Sequence, residues 1–170
     1  MEEGEIPKTI KGPDILVKTL ENLRSRIDNL VVLLTGPSRG FVESHLSDSG
    51  VKFVRVPYLS WEEMPFAYKA LDTYLISSRE EGGPKAFLES LASGIPVVST
   101  PVGQVVDLAG KGSALVSDTF DPFELADLVC SIVGSSSGYT LAKNGRELAE
   151  KFSIASQDEA WRIFTTELMN

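Results

Sequence analysis

The sequence predicts an α/β fold in which a parallel sheet is flanked by helices. Three observations support this fold class. Short apolar runs alternate with segments of helical periodicity, as in βα units. The runs are continuous, which is typical of strands that helices cover on both faces. The chain has 170 residues, of which 42% are hydrophobic, enough for one domain but not for two.

Five apolar runs are the predicted strands of a Rossmann-like sheet. In chain order they are residues 31–34, 51–56, 74–76, 96–98 and, as the weakest, 113–116. A doubly wound domain usually opens with a central strand, but here polar residues and then a helix come first. We therefore expect a further strand, and with it a partner domain, upstream of this sequence.

Six amphipathic segments are the predicted helices of the domain. Gly12 and Pro13 open the first, Ser60 and Glu63 form a capping-box pattern before the second, and Pro84 takes a first-turn position in the third. The predicted helices cover residues 13–27, 60–70, 85–93, 122–133, 139–151 and 156–169. In the fourth, we expect one apolar face that includes Phe123, and we interpret residues 134–138 as the turn after it.

Composition and charge exclude several classes of function. The chain has 16 basic and 24 acidic residues, a net charge of -8, so it should repel phosphate polymers, and we expect no nucleic-acid partner. Cys130 is the single cysteine, which excludes a disulfide framework and fits a reducing compartment. No stretch reaches the roughly 18 apolar residues of a membrane span, and residues 1–5 are acidic. We therefore expect a cytoplasmic protein without a membrane span.

The loop between the third strand and the third helix has the most informative residues. Glycines and a helix N-terminus at the carboxyl edge of a parallel sheet favour a bound phosphate. Two carboxylates, Glu81 in the loop and Glu89 in the helix, bracket this segment. On spacing alone the alternative stays open that the glycines only turn the chain and that the glutamates are solvated charges.

The pattern of these residues resembles the signature of family-4 retaining glycosyltransferases. Glu81 and Glu89, with seven residues between them, are followed by the sequence SLASGIPVV. Further landmarks in the same order are residues 11–14, 35–37 and 99–103. The resemblance covers about residues 8–107 and implies the C-terminal, donor-binding half of a two-domain GT-B enzyme, without its N-terminal acceptor-binding domain.

The resemblance implies roles for two carboxylates and two cations. Glu89 corresponds to the glutamate that binds the ribose hydroxyls, and Glu81 to the catalytic loop glutamate that contacts the donor sugar. Lys11 corresponds to a cation on the diphosphate. The family usually has a second basic residue upstream, and the six-residue spacing of some members leads here to Glu5. Either Lys8 substitutes for it or the partner lies before Met1.

The remaining predicted substrate-binding residues lie in the two loops. By the resemblance, Gly82, Gly83, Pro84 and Lys85 are near the sugar and diphosphate. Arg39 follows the first strand, and it either faces the same crevice or lies on a plain surface turn. Arg79 either contacts phosphate or pairs with a neighbouring glutamate. The base would lie near residues 55–58, where no residue is diagnostic.

The sequence contains no Asp-x-Asp motif, so we expect neither a metal nor a cofactor, and a nucleoside-diphosphate sugar as substrate. The expected function is donor binding by a retaining, metal-independent glycosyltransferase of glycan biosynthesis, inactive as the isolated chain. Two alternatives stay open: a domain like that of a sugar-nucleotide epimerase of the same fold, and a non-catalytic flavodoxin-like nucleotide-binding module.

Overall fold

The computed structural model describes residues 8–110 and 112–168. The strands within them are β1 (Val31–Thr35), β2 (Lys52–Val56), β3 (Tyr74–Ile76), β4 (Val97–Ser99) and β5 (Leu115–Val116). The helices are α1 (Pro13–Arg24), α2 (Gly40–Ser49), α3 (Met64–Lys69), α4 (Lys85–Ala92), α5 (Gly103–Ala109), α6 (Pro122–Ile132), α7 (Ser136–Lys151) and α8 (Ile154–Leu168). A 3-10 helix, Thr9–Lys11, leads into α1.

The strands form two parallel sheets with helices packed on them. One sheet has the order β1-β2, with Val31 opposite Lys52, and the other has the order β3-β4-β5, with Tyr74 opposite Val97. Within the described residues, no strand pairing joins the two sheets. The predicted α/β class with parallel strands and flanking helices is confirmed.

The two sheets correspond to two apolar cores. The first core gathers around α1, α2 and α6, with Leu23, Leu46 and Leu125 fully buried. The second gathers around α4, α5 and α7, with Phe87 and Leu91 at its centre. A fully buried side chain of this size contributes about 1.5 to 3 kcal/mol, so these helices fix the positions of the strand ends.

The strands differ in how completely they are buried. Every residue of β4, which has a strand neighbour on each side, is buried. In β1, by contrast, Val31 is 57% exposed and only Leu34 is buried. The expectation of strands covered on both faces therefore holds for β4 and only in part for β1.

Helix α7 begins inside the segment that the sequence indicates as a turn. Ser135 caps this helix, with its hydroxyl accepting a hydrogen bond from Gly138 N at 3.1 Å. A Cβ on Gly138 would lie 2.3 Å from the carbonyl oxygen of Ile132 at the end of α6. This glycine therefore allows two consecutive helices to approach closely, and it does not turn the chain.

Phe123 does not belong to the buried face of α6, so that prediction is wrong. Asp121 Oδ1 accepts a hydrogen bond from Phe123 N at 2.9 Å and caps the helix. The buried stripe consists of Leu125, Ala126, Val129 and Ile132. Phe123, in the first turn of the helix, lies outside this stripe and is 61% exposed.

No helix within residues 8–110 and 112–168 has the length and hydropathy of a membrane span.

Candidate functional site

A cavity of about 840 Å³ opens where β1 and β3 end. Seven of the nine predicted site residues line it: Lys8, Lys11, Arg39, Glu81, Gly83, Pro84 and Lys85. The other two, Gly82 and Glu89, do not. The structure therefore brings the cations and the loop glutamate together at the carboxyl edge of the strands and places the helix glutamate to one side.

The centre of this group is an ion pair between Lys11 and Glu81. Lys11 Nζ lies 2.5 Å from Glu81 Oε1, which also accepts a hydrogen bond of 2.9 Å from Ser78 Oγ. The Glu81 side chain is 18% exposed, whereas that of Lys11 is 53% exposed. The carboxylate is therefore held by two donors, while the ammonium still faces solvent.

Lys11 reaches Glu81 because the 3-10 helix is bound to the end of β3. Arg79 N donates to the carbonyl of Ile10 at 2.8 Å, and Ser77 Oγ donates to the carbonyl of Lys11 at 3.2 Å. Gly12 has φ 57, and a Cβ there would lie 1.9 Å from the Ser77 carbonyl oxygen. Only glycine fits this left-handed position against backbone.

Arg79 has a structural role that the sequence analysis missed. Its Nη1 and Nη2 donate to the two carboxylate oxygens of Asp14 at 2.8 and 2.6 Å, and Nη1 also donates to the Thr9 carbonyl at 3.0 Å. Within the described part of the chain, the Arg79 side chain donates no hydrogen bond to Glu80 or Glu81. Arg79 thus joins the β3 loop to the first turn of α1.

The Asp14 pair is expected to contribute a small, acid-sensitive part of the stability. The hydrogen bond from Arg79 holds the pKa of Asp14 below its usual value of 3.8, while burial opposes this shift. A depressed carboxyl pKa stabilises the fold above the unfolded value, and this contribution disappears as the pH falls through the folded value. Because the side chains are 39% and 47% exposed, Asp14→Asn should cost less than about 1 kcal/mol at neutral pH.

Urea unfolding at about pH 7 and about pH 3 measures this difference. The cost of Asp14→Asn should be smaller at the lower pH, because the stabilisation from the lowered pKa of Asp14 decreases once the pH falls below the usual carboxyl value of 3.8. Asp48→Asn, in an exposed position of α2, is the matched control and should change little at either pH. An equal cost of Asp14→Asn at both values would contradict this explanation.

Glu89 is held by a tyrosine from α3. Tyr68 Oη donates to Glu89 Oε2 at 2.8 Å, and Tyr68 is buried. Burial raises the pKa of Tyr68 far above its usual value, and the hydrogen bond to Glu89 acts in the same direction. The phenol therefore stays protonated and donates at any physiological pH. The sequence contained no signal for this partner, which lies 21 positions away.

Tyr74 experiences the charges of both carboxylates and of Arg39. Burial raises the pKa of Tyr74, the positive charge of Arg39 opposes this, and the charges of Glu89 and Glu81 add to it. The rings of Tyr68 and Tyr74 meet edge to face, with centroids 5.7 Å apart. Arg39 itself donates from Nε to the Thr35 carbonyl at 2.7 Å, which holds it at the mouth of the cavity.

The glycine loop is supported from behind by the start of α5. Gln104 N donates to the Gly82 carbonyl at 3.0 Å. Gly103 has φ 47, and a Cβ there would lie 2.3 Å from the carbonyl oxygens of Glu81 and Gly82. Gly103 belongs to a landmark of the sequence analysis, but the contact of Gln104 was missed. Both residues fix the direction in which the loop presents Glu81.

The other predicted cations are exposed. Lys8 and Lys85 lie on the surface at the cavity, while Glu5 falls outside the described residues. Within residues 8–110 and 112–168, no group of three or more histidine, cysteine, aspartate or glutamate side chains is placed to hold a metal ion.

The family model described as "Glycosyl transferases group 1" matches residues 4–135. Among similar proteins is a D-inositol 3-phosphate glycosyltransferase of Xylanimonas cellulosilytica, 32% identical over 89% of this chain and 36% of its own length. Its counterpart in Salinispora arenicola is 29% identical over 85% and 36%. The sulfoquinovosyl transferase SQD2 of Arabidopsis thaliana is 28% identical over 90% and 30%. The chain thus spans about a third of the length of these relatives.

Two solved structures superpose on this chain at low sequence identity and share its α/β fold. The C-terminal domain of a group 1 glycosyl transferase (LpcC) from Francisella tularensis superposes with a TM-score of 0.75 at 20% identity, covering 87% of this chain and 83% of that one. Anabaena Alr3699/HepE, in complex with UDP-glucose, superposes with a TM-score of 0.78 at 18% identity, covering 94% and 46%.

Proposed function

Because the chain belongs to the group 1 glycosyl transferases, we propose that it is the donor-binding domain of a retaining, metal-independent glycosyltransferase of the GT-B fold, active in glycan biosynthesis in the cytoplasm. Its substrate is a nucleoside-diphosphate sugar. A polypeptide outside residues 1–170 supplies the acceptor-binding domain. The chain alone then binds the donor without transferring its sugar, since the acceptor has to be positioned from the other side of the cleft.

The pair of Lys11 and Glu81 at the cavity mouth is the observation that carries this proposal. It places a solvent-facing ammonium beside a carboxylate that is held by two donors. Helix α4 begins in the same loop as Glu81 and has no side-chain cap, so backbone N–H groups of its first turn are available to a ligand, apart from Phe87 N, which donates to the Pro84 carbonyl. A cation and free N–H groups bind phosphate, while a fixed carboxylate accepts hydrogen bonds from sugar hydroxyls.

The same groups account for stabilisation of the leaving group. When the bond between sugar and diphosphate breaks, negative charge develops on the diphosphate. Lys11, Arg39 and Lys85 line one cavity, and with the N-terminus of α4 they supply positive potential to that charge. In this proposal they take the place that a divalent cation occupies in metal-dependent transferases.

Glu81 and Glu89 have separate partners, which supports separate roles. Lys11 and Ser78 hold Glu81 at the cavity, where the donor sugar would lie. Tyr68 occupies Oε2 of Glu89, so we assign Oε1 to the ribose hydroxyls. The ribose then lies beside α4, to one side of the cavity. The complex of the Anabaena neighbour makes UDP and UDP-glucose the first ligands to test.

Calorimetry with two glutamate variants tests the assignment. Glu89→Ala should weaken UDP, UDP-glucose and UDP-galactose equally, by about tenfold each, because all three carry the ribose. Glu81→Ala should leave UDP affinity nearly unchanged while removing the preference between the two epimeric sugars, since the sugar is the part of the donor assigned to this carboxylate.

Glu80→Ala is the matched control, because Glu80 is the exposed neighbour of Glu81 in the same loop. It should behave as wild type with all three ligands. Equal losses for every ligand in Glu81→Ala, or no loss in Glu89→Ala, would refute the division of roles. Absence of UDP binding by the folded wild-type chain would refute the function itself.

The reported relatives are named transferases, which favours this function over the epimerase-like and flavodoxin-like alternatives. Neither alternative is supported by a further observation on the site.

A further inference from the structure

The two oxygens of the Glu81 carboxylate have different surroundings. Oε1 accepts hydrogen bonds from Lys11 Nζ at 2.5 Å and from Ser78 Oγ at 2.9 Å. Oε2 accepts no hydrogen bond from the described part of the chain. The side chain is mostly buried and lines the cavity. One oxygen of this carboxylate is therefore fixed by the protein, and the other is left to accept a hydrogen bond from a ligand.

The two groups that donate to Oε1 differ in how firmly they are held. Ser78 is buried, and within residues 8–110 and 112–168 its hydroxyl donates to Glu81 alone. The Lys11 ammonium ends a flexible four-carbon stem, and its side chain is 53% exposed. In the proposed function this ammonium also binds the diphosphate, whose negative charges compete with Glu81 for it. Ser78 is therefore the group that keeps Glu81 in place once a nucleotide sugar is bound.

The backbone of Ser78 is itself bonded on both sides. Thr100, which follows β4 and is fully buried, donates from Oγ1 to the Ser78 carbonyl at 2.5 Å. The amide of Thr100 donates to the Ile76 carbonyl at 3.0 Å and so continues the pairing of β4 with β3. Next in the chain, Arg79 N donates to the carbonyl of Ile10. The Ser78 hydroxyl thus projects from a backbone segment that has little freedom to move.

We propose that Ser78 is a positioning residue for sugar selection, because it fixes Oε1 of Glu81 and thereby directs Oε2 at one hydroxyl of the donor sugar. The inference rests on the proposed function, in which Glu81 contacts that sugar. Two epimers differ in the direction of one hydroxyl, so an oxygen that is held in one place bonds well to only one of them. A carboxylate that is free to rotate follows the hydroxyl of either epimer. Ser78 therefore contributes to the choice between sugars and not to the binding of the nucleotide.

Calorimetry with UDP, UDP-glucose and UDP-galactose on the full chain tests this role. Ser78→Ala should bind UDP as the wild type does, while the ratio of the affinities for the two sugar nucleotides falls by about three- to tenfold, the equivalent of one hydrogen bond. Ser78→Cys is the second variant and serves if Ser78→Ala does not fold. Its thiol has nearly the same shape as the hydroxyl but donates only weakly, so the ratio should fall in the same way.

Ser117→Ala is the matched control, because Ser117 is also a buried serine that follows a strand. Its hydroxyl donates to the backbone carbonyls of Ser99 and Thr119, so this variant should keep both the UDP affinity and the ratio. A second comparison adds Ser78→Ala to Glu81→Ala. The ratio should then change no further, since a residue that acts through Glu81 has no effect on the sugar when Glu81 is absent.

An unchanged ratio in the Ser78 variants, with UDP binding intact, would overturn this inference alone and leave the proposed function standing. Equal losses for all three ligands would also overturn it, because they would show that Ser78 only supports the fold. The same holds for a further change of the ratio in the Glu81→Ala background, and for a wild-type chain that binds UDP without distinguishing the two sugars. A folded wild-type chain that binds no UDP would refute the proposed function and this inference together.

Discussion

Replacing Gly12 with alanine is expected to lower the free energy of unfolding by at least about 3 kcal/mol, a cost near the upper end for single substitutions. The residue has φ 57, and its added Cβ would lie 1.9 Å from the carbonyl oxygen of Ser77. The clashing atom belongs to the backbone at the end of β3, so no side-chain rotation relieves it. The 3-10 helix that carries Lys11 would have to separate from β3. Urea unfolding followed by circular dichroism measures the loss.

Alanine variants of two other glycines distinguish the steric clash at Gly12 from the strain of a positive φ. Gly94 has φ 76 but would bring its Cβ within 4 Å of nothing, so Gly94→Ala should cost only about 1 kcal/mol. Gly82 has neither a positive φ nor a nearby atom, and Gly82→Ala should leave stability unchanged. A cost for Gly12→Ala no larger than that for Gly94→Ala would mean that the close approach to Ser77 contributes little.

Lys11→Ala is expected to weaken UDP binding by roughly 10- to 150-fold, the equivalent of about 1.5 to 3 kcal/mol for a lost charge-assisted contact. Calorimetry in the presence of EDTA measures the loss. Wild-type affinity should survive this chelator, since the proposed site uses cations of the chain itself. Lys18→Ala, in an exposed position of α1, is the control and should bind as wild type.

One complication is that removing Lys11 also removes a partner of Glu81. The unpaired carboxylate could then repel the diphosphate, and the loss would reflect Glu81. The double variant Lys11→Ala/Glu81→Ala separates these causes, because it should remain as weak as Lys11→Ala if the ammonium binds phosphate directly. Recovery of affinity in the double variant, or collapse of wild-type affinity with EDTA and its return with Mg²⁺, would contradict the proposed role of Lys11.

The sequence predicted the strands to within two residues at each end. The strands could be predicted because a continuous apolar run is a local property of the sequence. Such a short run is typical of a strand that lies between helices. The capping residues of α6 were also predictable from the chain itself, since Asp121 contacts an amide only two positions away. Features that depend on neighbouring residues could therefore be predicted from the sequence alone.

Side-chain contacts between distant parts of the chain could not be predicted from the sequence. Arg79 had nearby glutamates as candidates, but it forms its ion pair with Asp14, 65 positions away. Tyr68 carries no motif, and its contact with Glu89 depends on how α3 packs beside α4. The resemblance named Lys11 and Glu81 as ligands of different parts of one donor, but it did not indicate that they bind each other.

Lys11 and Glu81 are 70 positions apart, and this separation has a consequence for the order of folding. We expect such a long-range contact to form late, because closing the intervening chain, which includes β1 and β2, into a loop carries an entropic cost. Until β3 docks against the 3-10 helix, only one half of the crevice exists. A ligand of this crevice therefore stabilises the completed fold by mass action and has no influence on the earlier steps.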